Sequence, residues 1–253
     1  MKGAEYIFDK NNKVTGVSKG DYSVVEMCNR DIDPLVIENH YSHTVPKNRW
    51  RSFGVFYKGK LGGAMQLGYG ITPGKKKHIC KYITKTNYKE FDRMWLSEEL
   101  PKNSESLAIG LLLRLVKKKY PEIKFIITYA DGTMHNVGTI YQASNFIYLG
   151  KIKALFFSPE RGERVHPVSM WHRHGTQKWE FLKQVYPNIR KIKGHHYRYI
   201  HCFSKKHQKL LLKSAVPYPF ISEGEAREVS RSETPDFQSG GVGAMPTSRT
   251  FLH

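Results

Sequence analysis

The stretch from residue 91 to residue 146 constrains the fold more than any other. Residues 124–130 (KFIITYA) are almost all β-branched or aromatic, the composition of a buried strand. Ahead of it, Leu107, Leu111 and Leu115 recur at four-residue spacing, and Lys117, Lys118 and Lys119 close the run before Pro121. That spacing predicts a helix whose carboxyl end carries basic groups that complement the helix dipole. Asp131-Gly132 then turns the chain, and Val137, Ile140, Tyr141 and Ser144 recur at i, i+3, i+4 and i+7 as a second helix ending near Asn145. Residues 91–100 (FDRMWLSEEL) predict a central strand stopped at Pro101, and residues 146–152 a further strand. Strands alternating with helices in this order predict an α/β (α+β) fold, a mixed central sheet flanked by helices.

The flanks add to this frame. Residues 20–27 (GDYSVVEM) predict an opening strand. Asp33-Pro34 places a capping carboxylate before a proline at the first helical position, and Leu35, Ile37 and Tyr41 continue a short helix to residues 40–43. Residues 52–58 and 61–67 predict a hairpin turning at Gly59-Lys60, followed by a Gly- and Lys-rich loop over 68–81. Residues 159–198 are basic and His-rich without a readable period, and 197–203 (YRYIHCF) predict a late strand. From residue 221 onward Gly, Ser, Pro and charge dominate, which predicts disorder. The division is a core at 1–155, a basic extension packed on it at 156–220 and a tail at 221–253.

The charge balance points to a polyanion. Lys and Arg number 41 against 22 Asp and Glu, a formal +19, while the tail carries five acidic groups and three arginines, so the body is more basic still. With aromatics at 13% interleaved among the basic groups, nucleic acid is a better reading than a merely solvated surface. Seven of the twelve histidines lie between His166 and His207. With Arg173, Lys191, Lys193 and Arg198 among them, that region reads as a face for DNA phosphates, and Trp171, Trp179 and Tyr197 either stack on bases or build a small core. The triplet Lys75, Lys76 and Lys77 offers further phosphate contacts. The three cysteines (Cys28, Cys80, Cys202) form no CxxC pair, which argues against zinc ribbons and disulfide frameworks. No apolar run approaches a membrane span, and residues 1–13 contain no apolar h-region, so the expected setting is soluble and intracellular, without a membrane partner.

The element order over about residues 20–155 resembles the GNAT acyltransferase superfamily. That likeness puts the acyl-CoA pyrophosphate against the helix N-terminus at residues 103–110, with Ser104 and Ser106 as donors and Gly110 all that remains of the usual glutamine- and glycine-rich pattern. Residues 141–146 (YQASNF) resemble the step that closes the last helix of that fold, with Asn145 in the glycine position. A sharper likeness comes from an ordered set: His40-Tyr41-Ser42, the hairpin at 53–67, Arg93-Met94-Trp95, Asn103-Ser104-Glu105-Ser106, Tyr129-Ala130-Asp131, Gly138-Thr139-Ile140-Tyr141-Gln142-Ala143, His196-Tyr197-Arg198-Tyr199 and Pro217-Tyr218-Pro219. Together these resemble the Mom family of phage proteins over most of residues 35–220. The resemblance implies modification of the exocyclic amine of adenine in double-stranded DNA, a methylcarbamoyl-type adduct that shields DNA from restriction, acetyl-CoA as donor, a bound iron, and action in the cytoplasm of the infected host.

It also implies site residues, each with a plainer alternative. Asp131 accepts the amine proton or ligates metal, but Asp-Gly is also an ordinary turn. Tyr141 protonates the leaving thiolate, or is a core aromatic. His40 and Tyr41 carry over from the family's His-Tyr pair, with His40 a base, a metal ligand or a benign helix end. Tyr57 lines the pocket or fills a strand position. Arg93, Ser104 and Ser106 match acyl-CoA positions. His40, Asp131 and His135 are the iron set. Competing functions are an N-acetyltransferase for protein or small-molecule amines and a non-catalytic nucleic-acid-binding protein.

Overall fold

The structure, a computed structural model, describes residues 3–70, 76–134, 136–160 and 163–219. The tail at 221–253 therefore lies outside the described residues.

Alternating small and apolar residues give two long strands, β4 (Arg49–Tyr57) and β5 (Lys60–Gly68). Lys58 (φ 49°) and Gly59 (φ 79°) join them, both left-handed, which matches the twist of the flanking strands. The hairpin is thus present, turning one residue earlier than Gly59-Lys60. β3 (Tyr22–Met27) pairs antiparallel with β4, and β1 (Glu5–Phe8) and β2 (Val14–Lys19) extend that edge. β6 (Tyr88–Leu96) runs antiparallel to β5 and parallel to β7 (Phe125–Asp131), with α2 (Ser104–Lys119) as the crossover. β8 (Ile147–Ser158) follows, and β9 (Arg190–Cys202) inserts between β7 and β8. The resulting mixed sheet has the order β1-β2-β3-β4-β5-β6-β7-β9-β8. The late strand begins seven residues before Tyr197, because the polar run Arg190–Cys202 pairs along nearly all of β8.

Helices cover both faces of the sheet. α2 lays Ala108, Leu111, Leu112 and Leu115 against Phe53, Met65, Leu67 and Ile126. On the other face Ile32 and Val36 of α1 (Asn29–Asn39) meet Ala64 and Trp95. α1 starts at Asn29, not at the expected Asp33-Pro34 cap. Pro34 sits inside it, forfeiting one helical hydrogen bond. Asp33 instead pairs with Arg49 and accepts from Gln66 Nε2 at 2.8 Å. Between β8 and β9, α4 (Pro167–His174) and α5 (Trp179–Val185) pack around Phe157, Val165, Met170 and Leu182, and α6 (Lys205–Leu212) closes the described chain. No helix among the described residues is long and apolar enough to cross a membrane.

α3 (Thr139–Ala143) is shorter than the periodicity predicts, bracketed by left-handed Gly138 (φ 83°) and Asn145 (φ 59°). A Cβ at Gly138 would lie 2.5 Å from the ring of the fully buried Tyr199. Gly138→Ala is expected to cost about 2–4 kcal/mol from backbone strain plus overpacking, read as a lowered denaturant midpoint.

One feature of the sheet places the site. β6 and β7 pair only from Tyr88↔Phe125 to Phe91↔Thr128, although both strands run on. At the same point β6 bulges: Phe91 faces Leu67 and Arg93 faces Gln66, leaving Asp92 unopposed. Two parallel strands that part in the middle of a sheet open a cleft between their ends.

Candidate active site

Thr128 Oγ1 donates to the Phe91 carbonyl (3.1 Å) at the fork itself. Beyond it stand Asp92 and Arg93 on β6 and Asp131 at the end of β7. The ends of α1 and the body of α3 add His40, Tyr41 and Tyr141.

Tyr141 rests against Phe91, Phe146 and Tyr199, with ring centres 5.6–6.1 Å apart. Burial pushes its phenol up to about 12, with the Thr128 hydroxyl pulling the other way and Tyr41, Arg93 and Asp92 all within electrostatic reach. It is a protonated phenol at neutral pH. His40 is buried, and its Nδ1 accepts the Ser42 amide (3.1 Å) and meets the Ser42 hydroxyl (2.8 Å). An amide can only donate, so Nδ1 is bare and Nε2 carries the proton. Burial, then Arg93 and His43, hold the ring down to about 3, so it stays neutral. The Tyr41 ring lies 4.3 Å from it. Burial and then Asp131 raise the Tyr41 phenol, opposed by Arg93 and Arg164, although the residue as a whole remains 56% exposed. It occupies an open wall of the cleft.

Asp131 forms the expected turn and more. Its Oδ1 accepts from the Thr133 amide (3.0 Å) and hydroxyl (2.6 Å), while Oδ2 accepts from Arg164 Nη2 (2.6 Å). His196 Nε2 stands 3.8 Å from Oδ1. Arg93 is anchored by bonds to the Thr44 carbonyl (3.1 Å) and its neighbour's carbonyl (2.7 Å). Asp92 Oδ2 is buried without a hydrogen-bond partner among the described residues, above Gly68, where a Cβ would collide with it. Burial and then Glu90 push the Asp92 carboxyl up to about 7, against Arg93 and Lys76.

The helix-N-terminus residues are arranged differently from one another. Ser104 is buried, its hydroxyl bonded to Tyr22 Oη (2.6 Å) and to the Pro101 carbonyl, so it faces inward. Ser106 Oγ donates to the Asn103 carbonyl (3.1 Å). Gly110 lies in the second turn of α2, past the open amides, with empty space where a Cβ would go. The amides of Glu105 and Ser106 have no acceptor among the described residues. Tyr57 packs on Tyr22 (4.8 Å), on β4 and three strands from β7, so the structure does not bring it to Asp131.

Against known proteins, the chain matches the Mom protein family over residues 21–220. It belongs to that family. It is 31% identical to the methylcarbamoylase Mom of Escherichia phage Mu over 189 residues, spanning 73% of this chain and 78% of that protein. It is similar in structure to the aminoglycoside acetyltransferase AAC(6')-Ib in complex with coenzyme A and kanamycin (11% identity, TM-score 0.45, 75% of this chain and 99% of that one). A ribosomal-protein-S5-alanine acetyltransferase from Vibrio fischeri is similar too (11% identity, TM-score 0.44, 76% and 98%).

The two described members of the iron set already hold hydrogen-bond partners in this Mom-family chain. His40 presents a protonated Nε2, both Asp131 oxygens are engaged, and His135 lies outside the described residues. No group of three metal-ligating side chains occurs among the described residues. The proposed phosphate contacts also scatter. Lys75 lies outside the described residues. Lys76 is buried, ion-paired with Glu90 Oε1 (2.7 Å) and donating to Tyr129 Oη (3.1 Å), and Lys77 is exposed. Arg173 pairs with Glu163 at 2.7 Å. Lys191 and Lys193 alternate with His196 and Arg198 along β9, which puts them on opposite faces of the sheet. Lys191 lies over Trp179 (4.2 Å), itself packed on Phe157, and Tyr197 is buried, whereas Trp171 is exposed.

Sequence reasoning passed over Arg164 and Asp92, and gave His196 no role beyond its place in the motif His196-Tyr197-Arg198-Tyr199. Arg164 sits in an aperiodic stretch, and the sole hint was that a half-buried Asp131 needs a counter-charge. Asp92 is hidden by a bulge that no local pattern announces.

Proposed function

We propose that this Mom-family chain is a transferase that modifies the exocyclic amine of adenine in double-stranded DNA, with an acyl-CoA as donor and a methylcarbamoyl-type adduct as product. It acts in the cytoplasm of the infected host, and the adduct shields DNA from restriction. The observation that carries the reading is the convergence of Tyr41, Arg93, Asp131 and Tyr141, from four separate elements, on the fork between β6 and β7. The open amides of Glu105 and Ser106 at the start of α2 suit a pyrophosphate, since unpaired N–H groups and the helix dipole both favour anions.

An acyl-CoA supplies an activated thioester carbonyl. The target amine is locked in a base pair, so the adenine must be flipped out to enter a cleft of this kind. Asp131 receives a hydrogen bond from the amine and takes its proton as the nitrogen attacks. Tyr141, a neutral phenol, gives its proton to the departing thiolate. His40 donates through Nε2 and does not act as a base. Tyr41 forms the open wall against which the base rests. Acid–base help of this kind is worth about 10²–10⁴-fold, and positioning supplies the larger part. The family's adduct requires a nitrogen-introducing step beyond acyl transfer, to which no residue is assigned.

The test is mass spectrometry of nucleosides from plasmid DNA of cells producing the protein. A heavier deoxyadenosine, missing from cells with an empty vector, is expected. Unmodified DNA from well-folded protein that consumes acetyl-CoA with simple amines would replace this reading with an amine acetyltransferase. DNA binding without any turnover would reduce the chain to a binding protein.

A further inference from the structure

The Asp131 carboxylate is held by a residue from the connection between β8 and α4. Arg164 places Nη2 2.6 Å from Asp131 Oδ2, and both side chains are largely buried, 20% and 14% exposed. The guanidinium lies over the Phe156 ring at 3.7 Å, and Phe156 is paired with Ile192 in the β8–β9 ladder, so the arm rests on the sheet itself. Its charge is felt by Tyr41 and His196 as well.

Counting acceptor sites gives this arrangement a consequence. A carboxylate offers about four lone-pair sites, two per oxygen. Thr133 fills both on Oδ1 through its amide and hydroxyl, and Arg164 fills one on Oδ2. His196 Nε2, at 3.8 Å, is beyond hydrogen-bond reach. Among the described residues a single acceptor site is left, on the oxygen that Arg164 holds.

We propose that Arg164 is a positioning residue: it fixes the Asp131 carboxylate so that its one remaining lone pair, on Oδ2, receives the N–H of the target amine. The inference rests on the functional reading above and adds the residue that orients its base. A lysine in this place would keep the charge but not the planar group that stacks on Phe156 while donating to Oδ2.

The test is a double-mutant cycle on the rate of adenine modification at saturating DNA and acyl-CoA, using Arg164→Ala, Asp131→Asn and the double variant. If Arg164 acts through Asp131, Arg164→Ala lowers kcat by about 100-fold with the KM for acyl-CoA unmoved. In the Asp131→Asn background the same change then costs less than about twofold. Arg164→Lys should recover about tenfold over Arg164→Ala, and it carries the test should the alanine variant not fold. Wild-type protein that modifies DNA combined with multiplicative losses in the double variant, or with full activity in Arg164→Ala, would overturn this inference alone. Wild-type protein that leaves DNA unmodified would overturn the functional reading and this inference with it.

Discussion

Asp131→Asn is expected to leave the protein folded and to cut adenine modification by about 10²–10³-fold. The asparagine keeps the volume and one carbonyl oxygen. That oxygen can serve Arg164 or Thr133 but not both, and the amide that replaces the other oxygen donates where an acceptor is needed. Turned toward Thr133, the oxygen leaves no acceptor for the target amine; turned toward Arg164, it keeps one lone pair, but a neutral amide cannot take the amine's proton. Asp131→Ala is a poorer probe, because it strands the Arg164 charge in a largely buried place, at a cost of about 3–5 kcal/mol to the fold. Adduct per plasmid at matched protein level, with a thermal melt as control, reads the prediction. Near-normal adduct from Asp131→Asn would remove the carboxylate from the chemistry.

Asp92→Asn should stabilise the chain at high pH. The Asp92 carboxyl is pushed from the ordinary carboxylate range to about 7, chiefly by burial and then by Glu90. Between about pH 4 and pH 7 the folded chain keeps a proton that the unfolded chain has released, so this group's contribution to stability falls as pH rises through that window. Its full penalty is present above pH 7. A neutral asparagine carries none of it. The variant is therefore expected to be more stable than wild type by about 2–4 kcal/mol at pH 8, shrinking to under about 1 kcal/mol at pH 4.5. Denaturant melts at the two pH values check it. An equal difference at both would mean that Asp92 is ionised throughout.

How far the sequence could be read follows from the range of each interaction. The β4–β5 hairpin, α2 and β7 declare themselves through local pattern: a positive-φ turn, leucines on one helical face, and a β-branched run. β9 does not, because a strand reading Arg-Lys-Ile-Lys-Gly-His-His has no apolar alternation and forms through its ladder with β8. Pro34 misled the α1 boundary, since a proline prefers the first turn but is tolerated further in when tertiary contacts hold the helix. Lys76 was grouped with its neighbours by charge, although Glu90 and Tyr129 supply partners that only the folded loop provides.

The site divides in the same way. Arg93 lies within electrostatic reach of His40, Tyr41 and Tyr141, and Asp131 within reach of Tyr41. What motifs could not convey is orientation. The Ser104 hydroxyl turns into the protein toward Tyr22, and the bare nitrogen of His40 is the one already bonded to Ser42. Arg164 reaches Asp131 from 33 residues away in sequence, through a connection with no periodicity to read.

A crystal structure of the protein with coenzyme A would show whether the fork between β6 and β7 is the proposed catalytic cleft. The thiol is expected beyond the Phe91–Thr128 pair, within hydrogen-bond reach of the Tyr141 phenol, and the pyrophosphate on the amides of Glu105 and Ser106. Coenzyme A bound elsewhere, with Tyr141 and Asp131 both distant from its sulfur, would contradict it.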